Sequence, residues 1–427
     1  MKRKSIGLLA LLIWLLPLCA CGAAETQTEA AASIEPSAAL NIQAETEPAP
    51  TPTPAPTPSP TPAPTPEPLA RELTEICDAG RVGHGSDPWF LDNRRSTYHL
   101  NDSGVSVRCR EPIGAISLVW FFPPEEYTIS YGETRVPCGQ RGLMHEYVRL
   151  PEATSELLIE ATGTRLCDVR VFSEGRPPED VQVWQEPEGT ADVLVFPTHA
   201  DDDVLFLGAF TAQCVERGLT VQTAFMCSHD DYQLREHERL DAQWVLGVRR
   251  EPLIYGAPDI HAHSLDHARY CFDEQDVIRW QTEQIRKFQP LIIIGHDLNG
   301  EYGHGAHIFY AHCLMAAVEA AADPEQYPES AELYGVWDTP KTYLHLGKTD
   351  PMELSVDEPL ARFDGKTAYE VAVEAMRCHV SQEESTGFSV RKDGNPRADC
   401  RYFGLERSLV GEDTGNDFLE HLTLRTP

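Results

Sequence analysis

The chain has 427 residues, of which 41% are hydrophobic, and can therefore hold two or three domains with apolar cores of their own. Its formal net charge of −32 argues against nucleic acid as a partner, because binding it requires clustered Lys and Arg that displace counterions. The one long apolar stretch is N-terminal, so the chain is not a protein built from membrane-spanning segments throughout.

The N-terminus has the pattern of an exported protein. Positive charges at residues 2–4 precede an apolar segment from Ile6 to Leu18, and Leu18-Cys19-Ala20-Cys21 follows. This resembles a bacterial lipoprotein signal, which implies a signal peptide over residues 1–20 and lipidation of Cys21. We therefore expect a lipid-anchored protein on the extracellular face of the bacterial cell membrane, with an ordinary secretory signal as the alternative. Export permits disulfides, but the cysteine spacing does not show which residues pair.

Residues 21–68 contain little that could be buried. From Pro48 to Pro68, proline alternates almost strictly with Thr, Ala, Ser or Glu. Alternating prolines favour an extended polyproline II conformation, which predicts a disordered stalk between the anchor and the rest of the chain. A Pro-rich recognition ligand is the alternative, although the regularity favours a stalk.

Residues 69–187 contain six short runs of β-forming residues that are divided by turn residues. The pattern predicts a β-sandwich, and the last run, LCDVRVFSEG, resembles the final strand of galactose-binding-like jelly rolls. Four aromatic residues could stack on sugar rings, but core packing is the better explanation for each of them: Trp89, Tyr98, Trp120 and Tyr131. We assign no site to this region.

Apolar strands and helical patterns alternate over residues 188–427. Strands are predicted at DVLVF, TVQTAFMCS, PLIYG, LIIIGHD and KTYLHLG, and helices at Leu234–Leu246, Asp276–Phe288, His304–Ala321 and Lys366–His379, before an irregular tail. This alternation is typical of a parallel sheet that helices cover on both faces. The predicted fold class is therefore α/β, with a Rossmann-like parallel-sheet domain preceded by the β-sandwich.

Two polar clusters each follow an apolar strand of this sheet. THADDD, residues 198–203, follows DVLVF, and HDLNGEYGHGAH, residues 296–307, follows LIII. Because the carboxyl ends of parallel strands meet at one edge of a sheet, the two clusters should converge. Two histidines and an aspartate that leave a position open to water are typical of a catalytic zinc site.

Two simpler explanations compete with the metal site. Asp201 to Asp203 could cap a helix N-terminus, and for that cluster alone this explanation is equally good. His304 and His307 at the facing strand end favour the metal. A further histidine triplet lacks nearby acids in a fitting pattern. It predicts an exposed surface loop rather than a second metal site, and consists of His261, His263 and His267.

The same segments resemble the signatures of the LmbE/PIG-L-like zinc-dependent N-deacetylases. THADDD is similar to the family's His-Pro-Asp-Asp-Glu signature, and GEYGHGAH is similar to Gly-Glu-Tyr-Gly-His-x-x-His. An RxxExxxAxxxLG pattern lies between them, formed by Arg235, Glu238, Ala242, Leu246 and Gly247. The resemblance extends from about Asp192 to the C-terminus.

The resemblance implies three groups of site residues. They are the zinc ligands His199, Asp202 and His307; the catalytic residues Asp201, as general base, with Tyr302 and His304, which would polarise the carbonyl; and the substrate-binding residues Arg235 and His379. Asp297 and Glu301 could support the ligands from behind, although formation of the DLNG turn explains Asp297 as well.

Three positions depart from the family pattern. Ala200 replaces a proline, Asp203 replaces a glutamate, and Ala306 stands where the family commonly has an aspartate. The change at Ala306 could leave His304 less well oriented, so we expect the rate to suffer more than binding.

The residues and the resemblance lead to one functional hypothesis. It is a hydrolase with a Zn²⁺ cofactor that removes the N-acetyl group from an N-acetylglucosamine-type sugar or a cell-envelope glycan. Two alternatives are hydrolysis of a different amide, and a glycan-binding surface lipoprotein whose α/β domain is inactive.

Overall fold

The fold is described from a computed structural model of the chain. The structure describes residues 67–96, 98–101 and 103–425. The predicted signal peptide, the lipidation site Cys21 and the stalk up to residue 66 lie outside these residues and stay predictions. Within the described part, no helix combines the length and the apolar character that crossing a bilayer requires.

The N-terminal sheet is antiparallel throughout. Its strands are β1 (Cys77–Arg81), β2 (His99–Asn101), β3 (Val105–Trp120), β4 (Tyr127–Tyr131), β5 (Thr134–Cys138), β6 (His145–Glu160) and β7 (Thr164–Phe172). They are ordered β2-β7-β3-β6-β4-β5, and β1 pairs with the first part of β3. The register of β3 against β6 shifts between Arg108 and Ala115, so the strand bends there, and beyond the bend β7 replaces β1 as its neighbour. The region is β-rich as predicted, while the jelly-roll sandwich stays a prediction.

An apolar core lies against this sheet. Trp120 is fully buried in it, as core packing predicts, whereas Trp89 and Tyr98 are 51% and 41% exposed. A disulfide joins Cys77 on β1 to Cys109 on β3, a pairing that the cysteine spacing did not indicate. The sheet therefore has its own core, with a covalent link between two of its strands.

The second sheet is mostly parallel. Its strands are β8 (Val193–Val195), β9 (Val221–Ser228), β10 (Leu253–Pro258), β11 (Ile292–Gly295), β12 (Lys341–His345), β13 (Pro351–Glu353) and β14 (Tyr402–Ser408), ordered β10-β9-β8-β11-β12-β14-β13. The five strands from β10 to β12 are parallel, and β14 and β13 are antiparallel additions. The parallel strands have the order of a doubly wound fold, which reverses direction between β8 and β11.

Helices cover both faces of this sheet. They are α1 (Asp202–Leu205), α2 (Gly208–Glu216), α3 (Gln233–Val245), α4 (Leu265–Cys271), α5 (Glu274–Phe288), α6 (Gly305–Ala322), α7 (Pro328–Tyr334), α8 (Ala368–Met376) and α9 (Val380–Thr386). On β8, Val193 and Val195 belong to the core with α2 and α8, and Leu194 belongs to the opposite core with α5 and α6. Burial on both faces explains why the DVLVF segment is apolar at nearly every position.

The C-terminal tail is more regular than predicted. Strand β14 runs along β12 and extends the sheet, so the expectation of an irregular tail is wrong over these residues. The strand was hidden because its second half carries Glu406 and Arg407, which are half-buried and interrupt the apolar pattern.

Candidate active site

The two polar clusters meet at one edge of the parallel sheet. Strands β8 and β11 are direct parallel neighbours, with Val193 opposite Ile292 and Val195 opposite Ile294. Their following loops therefore leave the sheet side by side, at the point where the strand order reverses. His199 and His307, 108 positions apart, consequently have ring nitrogens 3.1 Å from each other. The predicted convergence is confirmed.

Three donor atoms form a compact triangle at this edge. His199 Nδ1 lies 3.0 Å from Asp202 Oδ2, and His307 Nε2 lies 3.2 Å from the same oxygen. Ligands about 2.0–2.1 Å from a tetrahedral zinc ion lie roughly 3.3 Å from one another, so the triangle has nearly the required size. Two imidazoles and one carboxylate are also a donor set that suits zinc. The residues therefore fit a divalent ion of this type.

Glu301 orients the histidines from behind. Its fully buried carboxylate accepts hydrogen bonds from Nδ1 of His307 at 2.9 Å and of His296 at 2.8 Å through Oε2, and from Nδ1 of His345 at 2.9 Å through Oε1. Burial acts to raise the pKa of Glu301, but His296 and the other two histidines outweigh it and hold the pKa well below the ordinary value. Because Nδ1 of His307 donates to Glu301, Nε2 is the ring nitrogen left for an ion. Burial acts to lower the pKa of His307, but Asp202 and Glu301 outweigh it and raise the pKa to about 10, so an ion must displace the proton on Nε2.

His296 lies close enough to be considered as a ligand, since it groups with Asp202 and His307. However, its Nε2 accepts the backbone N–H of Thr198 at 3.0 Å, and its Nδ1 donates to Glu301. Both ring nitrogens are thus engaged. His296 supports the ligands by packing its ring against that of His307, with centroids 4.4 Å apart.

Asp201 lies beside the triangle and is held by Arg235. The guanidinium of Arg235 donates to Asp201 Oδ1 at 3.2 Å, to the carbonyl oxygen of Ala200 at 2.8 Å and to Asp259 Oδ2 at 2.9 Å. Burial, and then the charge of Asp202, raise the pKa of Asp201 well above its ordinary value, against the opposing effect of Arg235. A carboxyl group with a raised pKa can exchange protons nearer to neutral pH, as a general base must.

Tyr302 stands at the open side of the site. It lies in a short 3-10 turn, Glu301–Gly303, with φ of 48°, and is 41% exposed. Positive φ is strained for an aromatic residue, which indicates that the surrounding loop holds it in place. Gly300, with φ of 70°, allows the loop to turn, since a Cβ there would lie 2.7 Å from the carbonyl oxygen of His304.

His304 has a partner that the sequence did not reveal. Its Nε2 lies 3.0 Å from Nδ1 of His261, while its Nδ1 has no hydrogen-bond partner among the described residues. Burial, and then His307, lower the pKa of His304 to about 3. The predicted surface loop describes the exposed His261 and His263, but His267 lies in helix α4. His261 therefore belongs to the site rather than to a remote loop.

The two residues predicted to bind substrate are buried in this structure. Arg235 is 9% exposed and engaged with Asp201 and Asp259. His379 is fully buried between α8 and α9, with Nδ1 4.0 Å from Glu238, and burial lowers its pKa to about 3. As placed, Arg235 positions the candidate base and His379 lies against Glu238 of α3. A substrate contact for either residue stays a prediction.

The structure also shows the surroundings of the three residues that depart from the family pattern. Ala200 is buried, and its carbonyl oxygen accepts from Arg235. The buried Asp203 accepts a hydrogen bond from Gln243 on α3, and burial raises its pKa to about 7. Ala306 lies on α6 with its side chain in the core and offers His304 no polar contact; His304 contacts His261 instead.

Four site residues were missed by sequence reasoning: Asp259, His261, His296 and His345. Asp259 lies 3.6 Å from Nε2 of His199 and follows β10, as His261 does. His296 follows β11, and His345 ends β12. Position at the carboxyl end of a parallel strand was therefore a usable signal for all four.

Comparisons with known proteins find similarity to deacetylases and to an amidase. No protein-family model matches the chain. It is 27% identical to 1D-myo-inositol 2-acetamido-2-deoxy-alpha-D-glucopyranoside deacetylase 2 of Saccharopolyspora erythraea over 264 residues, which cover 52% of this chain and 95% of the relative. It is 36% identical to the mycothiol S-conjugate amidase of Streptomyces coelicolor over 128 residues, 28% of this chain and 42% of that protein. Among solved structures, N,N'-diacetylchitobiose deacetylase of Pyrococcus horikoshii aligns with 45% of this chain and 71% of its own, at 18% identity and a TM-score of 0.36.

Proposed function

We propose that this chain is a metal-dependent N-deacetylase that acts on an N-acetylglucosamine-type sugar. The observation that carries the proposal is the triangle of three donor atoms, 3.0–3.2 Å apart, with the carboxyl group of Asp201 beside it. The deacetylase of Saccharopolyspora erythraea, alignable over almost its whole length, supports the same chemistry and the same class of sugar.

The donor triangle identifies the residues that would hold the ion. His199, Asp202 and His307 would bind it, and Glu301 would keep the imidazole of His307 in the orientation that binding needs. A zinc ion bound there supplies Lewis acidity, which makes water easier to deprotonate and an amide carbonyl easier to attack. Zinc is our choice because of the donor types.

Asp201 is the proposed proton carrier. With its pKa raised by burial, its carboxylate would accept the proton of the attacking water and, once protonated, donate it to the leaving amine. Arg235 fixes the carboxylate through Oδ1 and leaves Oδ2 for this exchange. The same group thereby acts as base and then as acid, which suits a reaction that consumes and returns one proton.

Tyr302 and His304 are the proposed donors to the carbonyl oxygen. The rings of Tyr302 and His304 lie 5.6 Å and 4.6 Å from that of His307, on the open side of the triangle. Donors aimed at an oxygen that gains negative charge stabilise the tetrahedral transition state. Burial raises the pKa of Tyr302 far above its ordinary value, so its hydroxyl keeps the proton it would donate.

Location and accessory binding belong to the same proposal. We infer that lipidation of Cys21 would tether the enzyme to the outer face of the cell membrane, with residues 22–68 as a stalk. The N-terminal region would be a galactose-binding-like sandwich that lies next to the catalytic part. A cell-envelope glycan is the substrate that this arrangement would favour.

A second amide substrate has specific support. The segment shared with the mycothiol S-conjugate amidase is 36% identical, higher than the identity to the deacetylase, although it is shorter. We therefore keep hydrolysis of a different amide, such as a peptide or an acyl-amine, as the alternative. Acetate release from N-acetylated sugars, compared with amine release from longer acyl amides, separates the two reactions.

The experiment measures bound metal and acetate release for the zinc-loaded full chain and for Asp201→Asn. Loss of the base should lower turnover by about 10²–10⁴-fold while the metal stays bound. Asp266→Asn, an exposed aspartate on α4, is the matched control and should behave as wild type. Wild-type protein that holds zinc but releases acetate from no acetylated sugar would contradict the proposal.

A further inference from the structure

A cavity of about 200 Å³ opens beside Tyr302. We call it the side pocket and define it by Leu205, Phe206, Tyr302, Phe388, Arg391 and Arg397, with Asn395 between the two arginines. Pockets that enclose a whole drug-sized ligand are about 300–1,000 Å³, so this one has room for part of a substrate. Because Tyr302 borders both spaces, a group bound in the side pocket would lie near the reacting amide.

The floor and one wall of the side pocket are apolar. Leu205 and Phe206 are almost fully buried beneath it, and the ring of Phe388 lies 5.9 Å from that of Tyr302 at an angle of 31°. Phe388 is 37% exposed, which leaves a face open to the cavity side. Aromatic faces of this kind pack against the C–H face of a sugar ring.

The opposite rim is cationic. Among the side chains that the structure describes, no carboxylate lines the side pocket, although the chain as a whole carries a net charge of −32. Within the described residues, the guanidinium of Arg397 has neither a hydrogen bond nor an ion pair, and Arg391 has one distant ion partner, Asp393, at 3.7 Å. Two guanidinium groups with free donors favour an anionic group whose oxygens accept paired hydrogen bonds, such as a carboxylate or a phosphate.

The loop that carries both arginines is held in place. The backbone N–H of Cys400 donates to the carbonyl oxygen of Arg391 at 2.9 Å, and that of Asp399 donates to Asn395 at 3.1 Å. The buried carboxylate of Asp399 accepts from the backbone N–H of Gly394 at 2.6 Å. The two arginines are thus presented from a closed loop, which lowers the entropy lost when they bind a ligand.

The same loop is connected to the donor triangle. The ring of His345 lies between the two, with Nε2 2.9 Å from the carbonyl oxygen of Asp399 and Nδ1 2.9 Å from Glu301, which also orients His307. Three polar contacts in series, Asp399–His345, His345–Glu301 and Glu301–His307, therefore connect the arginine loop to the candidate metal ligands. An anion bound in the side pocket would be held at a constant distance from the reacting centre.

From this geometry we propose that the side pocket binds an anionic group, a carboxylate or a phosphate, carried by the N-acetylated sugar that is deacetylated. The proposal rests on the proposed function, because it names the substrate class of that site. Arg391 and Arg397 would be the specificity residues, and Phe388 would pack against the sugar that carries the charge.

The test compares three substrates on the zinc-loaded full chain: N-acetylglucosamine, N-acetylmuramic acid and N-acetylglucosamine 6-phosphate. We expect kcat/KM for at least one charged sugar to exceed that for the neutral one by at least about tenfold, the value of a charge-assisted hydrogen bond. The arm with the larger preference distinguishes a carboxylate from a phosphate. If wild type shows no preference for either charged sugar, the proposal is overturned.

The variant Arg391→Gln/Arg397→Gln should remove this preference through KM and leave the neutral sugar within about twofold of wild type. Arg279→Gln, an exposed arginine on α5, is the matched control and should keep the preference. An equal loss for all three sugars in the double variant, with an unchanged melting temperature, would overturn the proposal.

Calorimetric binding of the same three sugars separates this proposal from the deacetylase proposal. If wild type turns over none of them but binds a charged sugar at least tenfold more tightly than the double variant does, the side pocket stands and the enzymatic proposal fails. If neither turnover nor selective binding is found, both fail.

Discussion

Two buried histidine clusters of this chain have similar distances between their ring nitrogens but different chemical surroundings. In the donor triangle, ring nitrogens of His199 and His307 lie 3.1 Å apart. In a second cluster, which joins the antiparallel sheet to helix α3, Nε2 of His145 lies 2.8 Å from Nδ1 of His237. We call this pair the contact cluster. Both clusters are nearly inaccessible to solvent, so burial does not distinguish them.

The two clusters differ in the group that accepts a hydrogen bond from Nδ1 of the histidine. His145 donates from Nδ1 to the amide oxygen of Gln182 at 2.7 Å, which leaves Nε2 to accept from His237. Its imidazole therefore forms an ordinary neutral hydrogen-bonded pair. His307 instead donates from Nδ1 to the carboxylate of Glu301 and directs Nε2 at a second carboxylate, Asp202. A carboxylate behind the imidazole of His307 and a second one beside it favour metal binding, whereas in the contact cluster the carboxylate of Asp241 lies 3.6 Å from Nδ1 of His145, beyond hydrogen-bond distance.

The largest effect is expected from removing a donor in the triangle. His307→Ala should lower zinc affinity by more than the roughly 100-fold that loss of an outer partner costs, and abolish acetate release. His145→Asn, in the contact cluster, should keep its zinc. Metal content after dialysis measures both, with His312→Ala, exposed on the same helix as His307, as the control. Equal zinc loss in the His307 and His145 variants would erase the distinction between the clusters.

Removing the carboxylate behind the ligands should have the next largest effect. Glu301→Gln keeps the shape but weakens three charge-assisted hydrogen bonds, from His296, His307 and His345. We expect zinc affinity to fall about 10–100-fold. Competition with a chelator measures this, and the exposed Glu325→Gln is the control. Unchanged affinity would show that Asp202, His199 and His307 bind zinc equally well without the carboxylate of Glu301 to orient them.

The contact cluster should respond to acid. Burial lowers the pKa of His145 to about 3 and of His237 to about 2, below the ordinary value of 6.5. The unfolded chain therefore takes up these protons first, and the stability that the neutral pair contributes is lost as the pH falls from about 6.5 toward 3. At pH 5.5 the cost is about 1.4 kcal/mol for each histidine.

Denaturant unfolding at pH 7.5 and pH 5.5 measures this loss. His237→Gln should show a smaller decrease in the free energy of unfolding than wild type, by about 1.4 kcal/mol, since it lacks one titrating group. The exposed His421→Gln should decrease as wild type does. If wild type and His237→Gln lose the same stability between the two pH values, the contact cluster does not titrate as its burial predicts.

The smallest effect is expected at the newly identified neighbour of His304. His261→Gln removes one hydrogen-bond partner, worth about 0.5–1.5 kcal/mol, and should lower kcat by roughly twofold to tenfold with KM unchanged. His263→Gln, exposed two residues away, is the matched control and should have no effect. A loss in both variants would assign the effect to the loop rather than to the contact with His304.

The strands and helices around the site could be predicted from sequence because their patterns are local. DVLVF and LIII are apolar on both faces, as buried parallel strands must be, and the helix predicted from His304 begins at Gly305. Strand β14 was missed because polar residues in its second half break the pattern, although it pairs with β12. The prediction was therefore best where burial is complete.

The convergence of the candidate ligands was also predictable, since they belong to two compact segments that follow adjacent strands. The residues that orient the candidate ligands and catalytic residues were harder to predict. Glu301 was considered as a support, but its contact with His345 joins residues 44 positions apart, and that of His261 with His304 joins residues 43 apart. No local pattern encodes such contacts, because they depend on how separate loops pack above one sheet edge.

By itself, the sequence determined the alternation of strands and helices, the two polar segments and the candidate ligands within them, since periodicity and residue type are properties of short stretches. The tertiary structure alone decided which carboxylate stands behind which imidazole, that Arg235 braces Asp201, and that two arginines of a distant loop border Tyr302. Those relations arise when chain segments far apart in sequence are packed together, and the protonation and orientation of a buried side chain depend on the neighbours that packing provides.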